Sequence, residues 1–177
     1  MLWQGTHMNI HIWGARGSLP ASVNAEMVER KVLGAAKAAM LKVPASDEAL
    51  RDFIRQELPF AMRGSYGGNT SCVEIKGAQD YILCDAGTGL RDFGSCYLKS
   101  AAQNENGSKV FHILISHPHW DHIQGFPFFV PAYVPGNQVR IYGCHDDLEK
   151  AFILQQSQPF FPVALHGQMK ENLLSPP

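Results

Sequence analysis

Val110-Phe111-His112-Ile113-Leu114-Ile115-Ser116 followed by His117-Pro118-His119-Trp120-Asp121-His122 is the stretch on which the reading of this chain turns. The first seven residues are a short apolar run rich in β-formers and bounded by turn residues, so they predict a strand. The next six put three imidazoles and one carboxylate at the end of that strand, which is a rigid mount. Neutral imidazole and carboxylate are the donors that zinc accepts at about 2.0 to 2.2 Å, and manganese and iron accept them too. In an extended segment residues two apart point the same way, so His117 and His119 can grip one ion together. Asp121 and His122 lie one turn further on and can face a second ion. The plain alternative, a cluster of solvated loop histidines, leaves the coincidence of four donor residues within six positions unexplained.

Outward from that stretch the punctuation is regular. Asn9 to Trp13 alternates polar and apolar residues and predicts a first strand, ending in a turn from Gly14 to Pro20. His11 falls on the face opposite Ile10 and Ile12 and receives no function. Residues 24 to 58 hold two helical patterns. Asn24 can cap the first, which runs through Met27, Val28, Val32, Ala36 and Met40. Ser46 can cap the second, with Leu50, Phe53, Ile54 and Leu58 on one face. That stripe is expected to pack on the sheet or the first helix, and a lid is the sharper alternative. Tyr81 to Cys84 predicts a strand closed by Asp85, with Thr88 a cap for a helix through Leu90, Phe93 and Tyr97. Phe126 to Pro135 is apolar but broken three times by proline, so neither helix nor central strand can run through it. Val139 to Tyr142 predicts another strand, and Asp146 to Gln156 a helix with Leu148, Phe152 and Ile153 inward.

The motif His-x-His-x-Asp-His after an apolar strand resembles the metallo-β-lactamase superfamily of binuclear metal hydrolases. Trp13 to Pro20, Tyr66-Gly67-Gly68-Asn69-Thr70-Ser71-Cys72 and Leu83-Cys84-Asp85-Ala86-Gly87-Thr88-Gly89 look like the glycine-rich turns of one branch. That branch includes ribonuclease Z and cyclic-nucleotide phosphodiesterase relatives. The resemblance implies an α/β fold: the first half of a four-layer αββα sandwich, interrupted after its first strand by the two-helix insertion at 24–58. It implies that His117 and His119 bind one metal and Asp121 and His122 a second, most simply two zinc ions, with manganese or iron as alternatives. It implies hydrolysis of a phosphodiester by a hydroxide shared between two metals about 3.5 to 4 Å apart. His119 in place of Glu and His122 in place of Arg argue against flavin-linked di-iron and true β-lactamase activities.

The same resemblance implies a third His, a bridging Asp and a last His further downstream, and a catalytic acid beyond them. His145 and His166 are the histidines that follow His122 in these 177 residues, and neither sits in the branch's glycine-rich context. His145 is expected to start a helix rather than to ligate. The expectation is therefore one incomplete domain over residues 1–177, the first half plus a little. Residues 1–7 read as an upstream start or cloning remnant. Such a chain is expected to bind metal weakly and to hydrolyse little alone.

Two smaller expectations concern substrate. A carboxylate at the position of Asp85 can accept a proton from a ligating imidazole and orient it, or simply bond the turn amides. Gly67, Gly68, Asn69 and Thr70 form a tight turn, and by resemblance their backbone approaches substrate phosphate. Trp120 is expected to pack beside the metals, although its ring could also stack a base.

A formal charge of −1 and scattered Lys and Arg disfavour an extended polyanion and favour a small phosphodiester or nucleotide. The four cysteines, Cys72, Cys84, Cys96 and Cys144, show no Cys-x-x-Cys pair and read as buried free thiols. With no signal segment and no membrane-length apolar run, a cytoplasmic location is expected. Two other functions share the motif: a non-catalytic metal-binding module that dimerises through an exposed sheet face, and a thioesterase-type hydrolase.

Overall fold

Where the chain alternates short β-rich runs with glycine turns, the structure has strands. The computed structural model describes residues 8–101, 108–165 and 173–174. Its strands are β1 (Asn9–Gly14), β2 (Cys72–Lys76), β3 (Tyr81–Cys84), β4 (Val110–Leu114), β5 (Gln138–Tyr142) and β6 (Leu173–Leu174). Its helices are α1 (Ala25–Lys42), α2 (Asp47–Asp52), α3 (Phe60–Arg63), α4 (Gly89–Ala101), α5 (Trp120–Ile123) and α6 (Leu148–Gln155). The proline-broken run forms two 3-10 turns, Phe126–Phe128 and Val130–Tyr133, as its sequence requires.

The described strands lie in sequence order in one sheet. β1, β2 and β3 pair antiparallel, and β3 through β6 pair parallel. A parallel neighbour demands a crossover, and α4 supplies it between β3 and β4. Because side chains alternate along a strand, Leu83, Phe111, Ile113, Val139 and Ile141 all point to one face and are buried. There they meet Leu90 and Phe93 of α4, Phe126, Phe129, and Leu148 and Phe152 of α6. Phe111 sits at the centre, its ring 5.1 to 5.2 Å from those of Tyr81, Tyr97 and Phe129. This is the expected α/β arrangement, one helical layer on one sheet.

The opposite face carries two rows fixed by the register: Ile10, Ile75, Ile82, His112 and Arg140, then Ile12, Val73, Cys84, Leu114 and Tyr142. Ile10 and Ile12 are each 62% exposed and Leu114 is 44% exposed, so this apolar face is open.

Ala21–Gly68 forms a compact unit distinct from the sheet and its helices. Asn24 and Ser46 cap α1 and α2 as expected, accepting from the amides of Met27 and Ala49. The apolar residues that mark the helical pattern of α1 are mostly not its packed side. Val28, Val32, Ala36 and Met40 are exposed, whereas Met27, Lys31, Gly34, Ala35 and Ala38 are half-buried. α1 packs on α3 through its small residues, with Gly34 close to Met62, and Lys31 extends its ammonium to the carbonyls of Ala61 and Gly64. Such close approach selects the small side of the helix rather than the bulkier one. The second helical pattern also departs from expectation, because α2 gives way to a π-helical turn over Phe53–Glu57. Phe53 and Leu58 are nonetheless buried.

Two further expectations need correction. Cys96 and Cys144 are exposed, so only Cys72 is the fully buried thiol expected of all four, with Cys84 half-buried. The Thr88 hydroxyl accepts from the Thr70 amide instead of from the first turn of α4, and the Thr70 hydroxyl accepts from the Thr88 amide in return.

Candidate metal centre

β4 ends at Leu114, and Ile115 extends it by donating its amide to the Tyr142 carbonyl of β5. The chain then leaves the sheet at Ser116 and runs extended to His119 before α5 begins at Trp120. The backbone of this segment is held by the neighbouring strand end. Asp85 donates its amide to the Leu114 carbonyl, and the Ala86 amide bonds the His122 carbonyl. Gly87 lies so close to this turn that an added Cβ would stand 2.4 Å from the Asp121 carbonyl oxygen and 2.6 Å from that of Ser71. Only a residue without a side chain lets the β3 and β4 ends meet this tightly.

Asp85 is the hub. Its φ of 62° places it in the left-handed region, which costs a residue with a Cβ about 1 kcal/mol or more. That backbone turns its carboxylate across the strand ends to gather four donors. Oδ1 accepts from the Ser116 amide at 2.9 Å and the Ser116 hydroxyl at 2.8 Å. Oδ2 accepts from the Ser71 hydroxyl at 3.0 Å and lies 2.8 Å from His122 Nδ1. Burial pushes the carboxyl up, but the Ser116 amide, His122 and the two hydroxyls outweigh it, holding Asp85 below the usual carboxylate range. Of the two roles expected of Asp85, the geometry contains the bond to an imidazole, while the amide its carboxylate accepts from is that of Ser116, 31 residues on, rather than one in its own turn.

With the Nδ1 proton of His122 given to Asp85, its Nε2 keeps a lone pair. That atom lies 3.2 Å from Asp121 Oδ2. Two acceptors facing each other at this distance leave a gap suited to a cation, because ligands about 2.0 to 2.1 Å from a tetrahedral ion stand about 3.3 Å apart. Asp121 and His122 are both half-buried at the N-terminal turn of α5. The His117 ring lies 4.1 Å from that of His122 and 4.5 Å from that of His119, centre to centre. Partial burial and then the His122 and His119 imidazoles push His117 below the ordinary imidazole value, against the pull of Asp85 and Asp121. The neutral ring so favoured is the form that ligates metal.

The structure thus brings His117, His119, Asp121 and His122 together, with Asp85 behind them. The donor chemistry fits a divalent cation at the Asp121–His122 pair. Among the described residues, however, no group of three or more His, Cys, Asp or Glu side chains is arranged to hold one. His145 places its Nε2 3.1 Å from the Ser116 carbonyl oxygen, at the edge of the cluster. His166 lies outside the described residues.

The residues expected to touch substrate divide. Thr70 is fully buried, its hydroxyl tied to the Thr88 amide and to the side chain of Gln124, so it is an internal tie. Asn69 gives its side-chain amide to Asp92 at 2.6 Å and to the Trp13 carbonyl. Gly67 has the expected positive φ, and an added Cβ on Gly68 would meet the Ala21 carbonyl oxygen at 2.4 Å, so both answer to the local turn. Trp120 is 64% exposed rather than packed. Sequence reasoning assigns no role to Ser71 or Ser116; a serine directly before His117 is the available signal, and its partner Asp85 lies 31 residues away.

A family model described as a beta-lactamase superfamily domain matches residues 80–171. The match covers just over half of the chain and includes Asp85 and the whole segment from His117 to His122. No curated protein and no solved structure matches the chain.

Proposed function

This chain belongs to the beta-lactamase superfamily, and from that premise we propose a metal-dependent hydrolase acting on a phosphodiester, a cyclic nucleotide or an RNA-like linkage. His117 and His119 would hold one divalent ion and Asp121 and His122 a second, zinc first and manganese or iron as alternatives. The observation that carries the reading is the 3.2 Å approach of His122 Nε2 to Asp121 Oδ2 while His122 Nδ1 is committed to Asp85. Bound divalent ions would supply an activated water and offset the charge that develops on phosphorus.

This chain's own residues prepare the ligands for those ions. Asp85 holds His122 in one ring orientation and one tautomer. The half-buried, neutral His117 offers its ring without first losing a proton. Trp120 presents an open indole face beside the motif, on which a base can stack; such stacking is worth about 1 to 3 kcal/mol per base. That face favours a nucleotide-sized phosphodiester over the acyl thioester of a thioesterase, and the absence of a basic stripe in the sequence favours it over a long polyanion.

Zinc titration by calorimetry tests the metal assignment: weak uptake of up to two ions, weakened further in H117A and H122A, is expected. No uptake by the wild-type chain would overturn it. The substrate class is tested with the manganese-loaded chain, which should broaden the phosphorus resonance of a cyclic nucleotide, less so in W120A. Broadening of an acyl thioester's carbonyl resonance in its place would favour the thioesterase.

A second reading, a non-catalytic module that pairs with a copy of itself, draws on the open apolar face around Ile10, Ile12 and Leu114. Sedimentation equilibrium tests it: a stable dimer dispersed by I12D supports the module, and a monomeric wild-type chain overturns it.

A further inference from the structure

We propose that Ser116 is a positioning residue that sets the tautomer of His117 while anchoring Asp85, and so couples the two halves of the ligand set through one hydroxyl. The inference deepens the metal-binding reading above and rests on it.

The argument is an inventory of protons. A serine hydroxyl has one proton to give and lone pairs to accept with. The Asp85 carboxylate is acceptor-only, and its Oδ1 lies 2.8 Å from Ser116 Oγ, so the hydroxyl proton goes there. Two ring nitrogens also lie near Ser116 Oγ, His117 Nδ1 at 3.1 Å and His122 Nδ1 at 3.3 Å. His122 Nδ1 is closer to Asp85 Oδ2, at 2.8 Å, and gives its proton to the charged acceptor. With its proton committed to Asp85, Ser116 Oγ can act toward His117 Nδ1 only as an acceptor. His117 therefore carries its proton on Nδ1 and keeps the lone pair of Nε2 for a ligand, as His122 does.

Ser116 is itself held at all three of its polar groups. Its amide and hydroxyl both go to Asp85 Oδ1, and its carbonyl oxygen lies 3.1 Å from His145 Nε2. A hydroxyl whose proton is fixed in this way keeps its lone pairs on the side away from Asp85. Ser71 differs, since it donates to Asp85 Oδ2 and, among the described residues, bonds neither imidazole. The two serines share a carboxylate, but Ser116 alone of the pair reaches His117.

That difference defines the experiment. Long-range proton–nitrogen correlation spectra of the metal-free, nitrogen-labelled chain in mildly alkaline buffer report which ring nitrogen of His117 is protonated. Wild type is expected to show the Nδ1–H form, S116A to lose it, and S116T, which keeps the hydroxyl, to retain it. S71A should leave the His117 tautomer as in wild type. Zinc affinity should fall about 10- to 100-fold in S116A, the usual loss when the partner of a ligating histidine is removed, and recover in S116T. An Nε2–H form in the wild-type chain would overturn the proposal even if no variant folded. So would an unchanged tautomer in S116A, or a loss in S71A equal to that in S116A. Failure of the wild-type chain to bind zinc overturns the metal reading alone, because the tautomer is read without metal.

Discussion

α1 and α4 are both helices of more than three turns, yet they stand in opposite relations to a core. α4 buries Gly89, Leu90, Phe93 and Gly94 against the sheet, while α1 buries none of its residues. Val32 is 62% exposed and Met40 77%, although both recur at helical spacing. Amphipathic spacing states that one face of a helix differs from the other. Whether that face meets a partner is set by the neighbouring elements. α4 lies on a sheet whose alternating residues offer Phe111 and Ile113; α1 meets the short α3, where Gly34 lies close to Met62.

Four measurements sharpen or break the comparison. Phe111→Ala, at the centre of the aromatic cluster under α4, should lower unfolding free energy by about 3 to 5 kcal/mol. Met40→Ala in α1 should change it by less than about 0.5 kcal/mol. Denaturant melts of equal effect for the two would refute the contrast. Gly87→Ala, which drives a methyl into backbone on two sides, should cost about 1 to 3 kcal/mol or more in the same melts and weaken zinc uptake by displacing Asp121; a neutral result would mean that the β3 turn yields easily.

Cys72 gives a pH test. Burial, reinforced by Asp85, Glu74 and Cys84, pushes its thiol far above the ordinary value. In the unfolded chain the thiol ionises above about pH 8.5, whereas in the folded protein it stays protonated. Its contribution is therefore complete below that pH and is lost as pH rises, by about 1.4 kcal/mol per pH unit. Cys72→Ala should flatten the alkaline stability profile by that slope, and an unaltered profile would contradict the assignment. The smallest effect concerns α1. Val43 ends it at φ 45°, where a β-branched residue is strained. Val43→Gly should raise stability by about 1 kcal/mol, visible as a higher melting temperature; a lower one would show that the Val43 side chain contributes more than its backbone costs.

Most strands could be read along the chain because their signals are local. Tyr81–Cys84 appears as expected and Val110–Leu114 two residues shorter than expected, each bounded by its own turn residues. Asn24 and Ser46 cap their helices because a cap bonds an amide three residues away. The misjudged features depend on contacts distant in sequence. Thr88 reads as a cap until Thr70, 18 residues earlier, claims its hydroxyl. Trp120 reads as packed, but the turn carrying it projects the indole into solvent.

By itself the sequence determined the α/β class, four of the strands with the turns that bound them, and the gathering of His117, His119, Asp121 and His122 at one strand end, since each follows from side-chain chemistry and period over a few residues. Tertiary structure alone decided that Ser71, Asp85 and Ser116 converge behind those donors, from positions up to 45 residues apart in the numbering, and that one face of the sheet is filled while the other stays open. The physical reason is range. A strand's period fixes which residues share a face, but only the packing of β3, β4 and α5 brings a left-handed Asp85 within hydrogen-bonding distance of His122.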